Sequence, residues 1–323
     1  MKPNGFIIAL ISAIILAYFF PTALEHLRVQ QIIDVGVGFI FFFYGLKLAP
    51  AELKLGFLNY KSHILIHLTT FVLFPLLTMI FIPFFEGGTE SKLWLAIFFL
   101  GALPSTVTSA VVMVAIARGN LPTAIFNASV SGLIGIVVTP LWMSIFMMKS
   151  GEFDFMEIVI DLVIQIVIPL FLGVILQRFL GKWANKYSKQ LSLFDKAVII
   201  LIVFTSFSHS FNSNLFDNIK WTDLLKLFGI VIFLFLSVYT LTGYLCKLFG
   251  FNLQDTITVK FCGTKKSLVH GSIMVKIIFG TNPNVGLFLL PIMLYHIFQL
   301  VLVSFFAQNY QKKILEEVAT ENS

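Results

Sequence analysis

Two adjacent lysines, Lys265 and Lys266, stand in the middle of an apolar stretch, flanked by Cys262, Gly263 and Thr264 on one side and Ser267 on the other. A second patch of small and hydroxyl residues, Ala102, Pro104, Ser105, Thr106, Thr108 and Ser109, interrupts another apolar stretch. Hydroxyl and carbonyl oxygens gathered at such an interruption suit a small cation, while an ammonium group suits an anion or carries a proton. Pro104 removes a backbone donor and pushes the residue before it out of helical geometry, so the first stretch breaks or kinks there. Gly263 allows a similar break in the second. The plainer readings are a packing kink at Pro104 and, for the lysines, an ion pair with Asp161 or an amine kept neutral by burial.

The elements that must carry these patches follow from composition. Of the 323 residues 58% are hydrophobic and only 12% charged, with 37 Phe and a mean hydropathy of +0.94. An ordinary soluble domain carries about 25% charged residues, so a water-soluble fold is excluded and an all-α polytopic membrane protein is expected. The net charge of +6 is spread between apolar stretches, which argues against nucleic acid as a partner, and the lipid bilayer is the partner expected. Ten stretches are long enough to cross a core about 30 Å thick: residues 5–22, 31–49, 63–85, 92–117, 121–148, 155–178, 191–211, 222–246, 254–279 and 285–310. Ser105 then lies about 19 Å into the fourth span and Lys265 about 17 Å into the ninth, both at mid-membrane.

Basic residues orient the chain. With the N-terminus inside, thirteen Lys and Arg fall on the cytoplasmic side, including Lys182, Lys186 and Lys189, and six on the other, including Arg28, Lys226 and Lys276. The excess of positive charge inside places both termini in the cytoplasm, in the inner membrane. Lys260, Lys265 and Lys266 are left over, all in the ninth span; Lys260 is close enough to its end to snorkel.

The halves echo one another. Each polar patch is followed by a Gly and an Asn (Gly119, Asn120; Gly280, Asn282) and then by a span with an internal proline (Pro140; Pro291). An offset of five spans inverts one half relative to the other, the pattern of a secondary transporter. The expected division is residues 1–149, residues 150–311 and a cytoplasmic tail, 312–323. Further embedded polar residues are Asn127, Ser129 and Ser131 in the fifth span, with Asn127 and Ser131 on one face, and the pairs His67 with Thr70 and His296 with Gln299. Asp34 and Asp161 are expected in first helical turns, where a carboxylate answers the positive helix end. Neither a phosphate loop nor a nucleophile elbow is present, so an enzyme is not expected.

Leu103-Pro104-Ser105-Thr106, Ala117-Arg118-Gly119-Asn120 and Val138-Thr139-Pro140-Leu141 resemble the bile acid:sodium symporter superfamily, in its SBF-like (YfeH-type) branch. Phe43-Tyr44-Gly45-Leu46, Ala124-Ile125-Phe126-Asn127-Ala128 and Thr264-Lys265-Lys266-Ser267-Leu268 extend the likeness over nearly the whole chain. The resemblance implies ten helices in two inverted five-helix repeats, panel and core domains, and unwound, crossing spans four and nine. It also implies two sodium sites, the first falling on Ser109, Ala110, Asn127 or Ser131 and Cys262, the second on Thr70, Cys262 and Lys266. The acidic ligand shared by both sites is Cys262 here, and an ammonium at 4 Å would repel a sodium ion by about 4 kcal/mol at an effective dielectric near 20.

The reading is a secondary active transporter that takes up a small organic anion with sodium or a proton, with no other cofactor. The half-helix N-termini with Lys265 or Lys266 would hold the anion; Thr106, Thr108, Ser109, Asn127 and Ser131 would hold a cation, a sodium ion at Ser109, Asn127 and Ser131 in particular, or the substrate, and Thr70, Cys262, Thr264 and Ser267 complete the substrate- or ion-binding set. The rival is a transporter-shaped protein that regulates ion homeostasis through partners.

Overall fold

A computed structural model describes residues 5–24, 28–48, 58–106, 108–147, 155–214, 219–280 and 284–321. Every regular element among the described residues is a helix, and none is a strand. In chain order the helices are α1 (Gly5–Phe19), α2 (Val29–Lys47), α3 (Tyr60–Met79), α4 (Lys92–Ala102), α5 (Thr108–Ile116), α6 (Leu121–Met147), α7 (Phe155–Lys186), α8 (Ser188–Asn212), α9 (Trp221–Leu248), α10 (Leu253–Thr264), α11 (Leu268–Phe279) and α12 (Val285–Glu321).

Seven of these, α2, α3, α6, α7, α8, α9 and α12, are long and apolar enough to cross a membrane. The remaining three of the ten expected spans take other forms. The first is a helix of 15 residues, and the fourth and ninth are the broken pairs α4–α5 and α10–α11, whose halves hold 9 to 12 residues each. Lipid is the solvent that the outward faces require. Down α7, Ile160, Ile164, Ile168, Phe171 and Ile175 repeat at helical spacing and are all 49–58% exposed, a stripe that water would not tolerate. The chain is a multi-pass membrane protein.

Contacts divide the chain into two compact units. One comprises Met1–Leu48, Ser144–Leu224 and Gly271–Leu290. Here α2 packs along α7 and α8, and α1 along α8. The α2–α7 contact depends on two glycines that face one another: a Cβ on Gly45 would run into the Leu170 carbonyl, and one on Gly173 into the Phe42 carbonyl. Small residues replace the missing hydrophobic drive in lipid by letting backbones approach. Asp34 lies in the second turn of α2, not the first, because the helix begins at Val29; its carboxylate pairs with buried Lys276.

The other unit comprises Ala49–Met143, Leu225–His270 and Pro291–Ser323. Its centre is α4, buried at every residue from Trp94 to Ala102, with α10 packed against α3 and α5. Ser91 caps α4 through the Trp94 N–H, and Asn252 caps α10 through the Asp255 N–H at 2.8 Å. The Asp255 carboxylate then accepts from the amides of Asn59 (2.7 Å), Asn120 (2.8 Å) and Asn252 (2.8 Å), joining the starts of α3, α6 and α10. Asn282, the counterpart expected for Asn120, lies outside the described residues.

Gly173→Val should abolish accumulation of folded protein, because a branched side chain must push the α2 backbone away, whereas Gly229→Ala, which meets nothing within 4 Å, should behave as the parent chain. Size-exclusion profiles of detergent extracts distinguish the two; equal profiles would mean that the α2–α7 contact is not tight.

Candidate functional site

The break between α4 and α5 begins at Leu103, whose backbone is extended (φ −66°, ψ 152°), and continues through Pro104, Ser105 and Thr106. That between α10 and α11 covers Lys265, also extended (φ −84°, ψ 144°), Lys266 and Ser267. Gly263 is not the hinge: it remains inside α10, and a Cβ there would press on the Thr69 side chain at 3.1 Å, so its role is close approach to α3. Lys265 and Lys266 therefore do not follow the 100° step of a helix, and their side chains diverge as those of an extended strand do.

Each break frees backbone groups that lipid cannot satisfy, and the two segments supply one another. The Ser267 N–H donates to the Pro104 carbonyl (3.0 Å), and Ser105 Oγ donates to the Cys262 carbonyl (2.6 Å). Neighbouring helices complete the set. The Ser105 N–H donates to Ser131 Oγ (2.9 Å), Thr139 Oγ1 to the Ala102 carbonyl (2.8 Å) and Tyr295 Oη to the Thr264 carbonyl (2.5 Å). Gln299 of α12 grips the Lys266 peptide from both sides: Oε1 accepts its N–H and Nε2 donates to its carbonyl, each at 2.8 Å. Ser267 caps α11 by accepting the His270 N–H at 3.2 Å. Helix α6 fits the crossing closely, since a Cβ on Gly135 would lie 2.8 Å from the Pro104 ring.

The two lysines differ in what they hold. Lys266 Nζ donates to three carbonyls, Thr70 (2.8 Å), Gly101 (2.6 Å) and Leu103 (2.8 Å), and lies 4.2 Å from the centre of the Phe74 ring. Lys265 Nζ donates to one, Ser109 (2.8 Å), in the first turn of α5. Both residues are at most 1% exposed. The acceptors are carbonyl oxygens and not the Asp161 carboxylate that composition allowed. Lys260 bonds Tyr310 Oη (3.3 Å) and lies over the Tyr239 ring (3.8 Å), an anchoring role.

Among the other sequence candidates, Ser109 Oγ donates to Thr106 Oγ1 (3.3 Å), which joins these two to the Lys265 contact. Thr70 contributes its carbonyl, while its hydroxyl turns to Ile66 (2.8 Å) and Gly263 (3.5 Å). Thr264 Oγ1 is spent on the Lys260 carbonyl (2.7 Å), and Cys262 is a buried free thiol whose carbonyl, not sulfur, enters the crossing. Asn127 turns its amide NH₂ to His63 Nδ1 and the Thr123 carbonyl, both at 2.7 Å, and leaves Oδ1 buried without a hydrogen bond. The Thr108 side chain lies outside the described residues. Sequence reasoning missed Thr139, Tyr295 and His270; for Gln299 it offered a pair with His296, present at 3.0 Å, and a hydrogen bond to another span, which the contacts with Lys266 supply.

A model of the SBF-like CPA transporter family matches residues 4–312. The chain is 34% identical over 313 residues to the uncharacterized protein PA2026 of Pseudomonas aeruginosa, covering 96% of this chain and 94% of that one. It is 30% identical over 321 residues to the putative symporter YfeH of Escherichia coli, covering 99% and 96%, and 32% identical over 274 residues to sodium/bile acid cotransporter 7 of Rattus norvegicus, covering 84% and 80%.

Gln299→Leu keeps the volume and strands both polar groups of the Lys266 peptide. At about 1–3 kcal/mol for each orphaned group, it should cost roughly 2 kcal/mol or more of stability, read as a lowered unfolding midpoint in detergent. Ser131→Ala, which strands a single N–H, should cost less.

Proposed function

Because the chain belongs to the SBF-like CPA transporter family, we propose that it is a secondary active transporter that moves a small organic anion together with a cation. The names of the Escherichia coli and rat relatives, a symporter and a sodium/bile acid cotransporter, support the class of activity. Nothing in the residues of the crossing selects a steroid, so the substrate is proposed by charge alone. The proposed architecture is ten membrane crossings, counting each broken pair as one, in two inverted repeats of residues 1–149 and 150–311, with panel and core domains and both termini in the cytoplasm of a cell whose inner membrane holds the protein.

The observation that carries this reading is the uneven loading of the two lysines. An ammonium group has three donors; Lys265 uses one of them, on Ser109, among the described residues. Two donors remain for an anion arriving at the start of α5, where the helix end adds partial positive charge. Lys265 with Thr106 and Ser109 is thus the proposed anion site. Deprotonation of the same group on one side of the membrane would couple transport to protons. The proposed alternative partner is sodium at Ser109, Asn127 and Ser131; the buried, undonated Asn127 Oδ1 is the oxygen such an ion would take. Ser131 Oγ already accepts from Ser105, which leaves it one further lone pair.

Purified protein in liposomes tests the reading. Lys265→Met should lose anion uptake by at least tenfold while keeping the parent's elution profile; undiminished uptake would remove Lys265 from the site. Proton coupling predicts that substrate addition acidifies or alkalinises the lumen in step with flux and that sodium and potassium buffers support equal rates. Sodium coupling predicts uptake in sodium only and its loss in Asn127→Leu. Flat uptake for every organic anion tried, with the cellular phenotype intact in Lys265→Met, would favour the regulatory role instead.

A further inference from the structure

The surroundings of Lys266 Nζ have the make-up of an ion site. Three backbone oxygens converge on one nitrogen at 2.6–2.8 Å, and the face of Phe74 closes the cage at 4.2 Å. All four groups present negative potential, and none is a donor.

Each oxygen is available for a structural reason independent of the lysine. The π-helical turn Thr69–Leu73 directs the Phe74 N–H to the Thr69 carbonyl, and the next residue, Pro75, has no N–H, so the Thr70 carbonyl has no backbone donor. The Phe71 carbonyl, stranded by the same proline in the ordinary helical register, is filled by Trp142 Nε1 at 2.7 Å. In α4, the N–H that would close on Gly101 belongs to Ser105 and is diverted to Ser131, while Leu103 lies beyond the last helical turn. The negative end of the α4 dipole therefore points into the cage. Three acceptors at hydrogen-bonding distance require three N–H donors, which the ammonium form has and the neutral amine does not.

We propose that this cage is a monovalent-cation site that the chain fills with its own Lys266 side chain. The ammonium is a tethered ion: it holds α3, α4 and the α10–α11 break together and makes a dissolved ion unnecessary at that point. Oxygens spaced for an ammonium nitrogen suit alkylammonium, ammonium and potassium before the smaller sodium. The inference does not rest on the transport reading, since its test reads the stability of the purified protein and not flux.

Lys266→Ala removes the atoms of an n-propylammonium ion and leaves the cage. The variant, extracted and purified with 50–100 mM of each salt (about the range in which weak monovalent sites fill), should unfold several degrees below the parent in choline chloride. It should regain at least half of that loss in n-propylammonium, with smaller, saturable gains in ammonium or potassium. The parent should show no such ordering. Equal midpoints for the variant in all four salts would overturn the proposal, as would the same ordering in the parent. Lys266→Met and Lys266→Arg decide the matter where Lys266→Ala does not fold. A monodisperse Lys266→Met at the parent's level, or Lys266→Arg and Lys266→Met failing alike, overturns it; Lys266→Arg folding where Lys266→Met and Lys266→Ala do not supports it.

Discussion

A helix that stops inside lipid leaves carbonyl and amide groups that no solvent can satisfy, and this constraint governs the crossing. Two such interruptions, each costly alone, become compatible when the orphans of one meet those of the other, as Ser267 N–H meets the Pro104 carbonyl and Ser105 Oγ the Cys262 carbonyl. The surplus is acceptors, because each terminating helix exposes carbonyls at its C-terminal end. Donors must be imported: Thr139 and Gln299 from flanking helices, Tyr295 Oη, and the three protons of Lys266. A buried lysine here is the component with enough donors to close the account.

The same constraint explains the close packing around the breaks. Donors reach carbonyls at 2.5–2.8 Å only if the helices that carry them lie near the interrupted backbone. The Gly135 notch against Pro104 and the Gly263 contact with Thr69 supply that proximity on α6 and α10. In the first unit the glycines of α2 and α7 do similar work for two unbroken helices, where dispersion between backbones is the available force.

Much of this was legible in the residues. Long apolar runs gave the starts of the helices to within three residues, since hydropathy over a membrane's thickness is a strong signal, while helices such as α7 and α12 run well past the expected ends. Pro104 announced a break because proline lacks the donor that a helix needs. Gly263 misled because glycine only permits a break; the interruption fell instead at Lys265 to Ser267, where side chains and partners from elsewhere satisfy the backbone. The role of Pro75 was hidden for a related reason, since its effect is to free the Thr70 carbonyl for a side chain 196 residues away. Gln299 carried no local mark of its bidentate grip on the Lys266 peptide, and hydrogen bonds between distant segments have none to carry.

Lys265 and Lys266 looked interchangeable in sequence, yet their hydrogen bonds set them apart. A proton cannot leave Lys266 without stranding one of three carbonyls at a buried site, so that group is suited to holding helices and unsuited to a cycle. Lys265 can lose a proton and still donate to Ser109, so a change of charge there need not unmake the fold. In the proposed transporter the static charge and the working charge thus occupy neighbouring residues. The extended backbone at the break makes that possible, by sending the Lys265 side chain to the start of α5 and the Lys266 side chain to the end of α4.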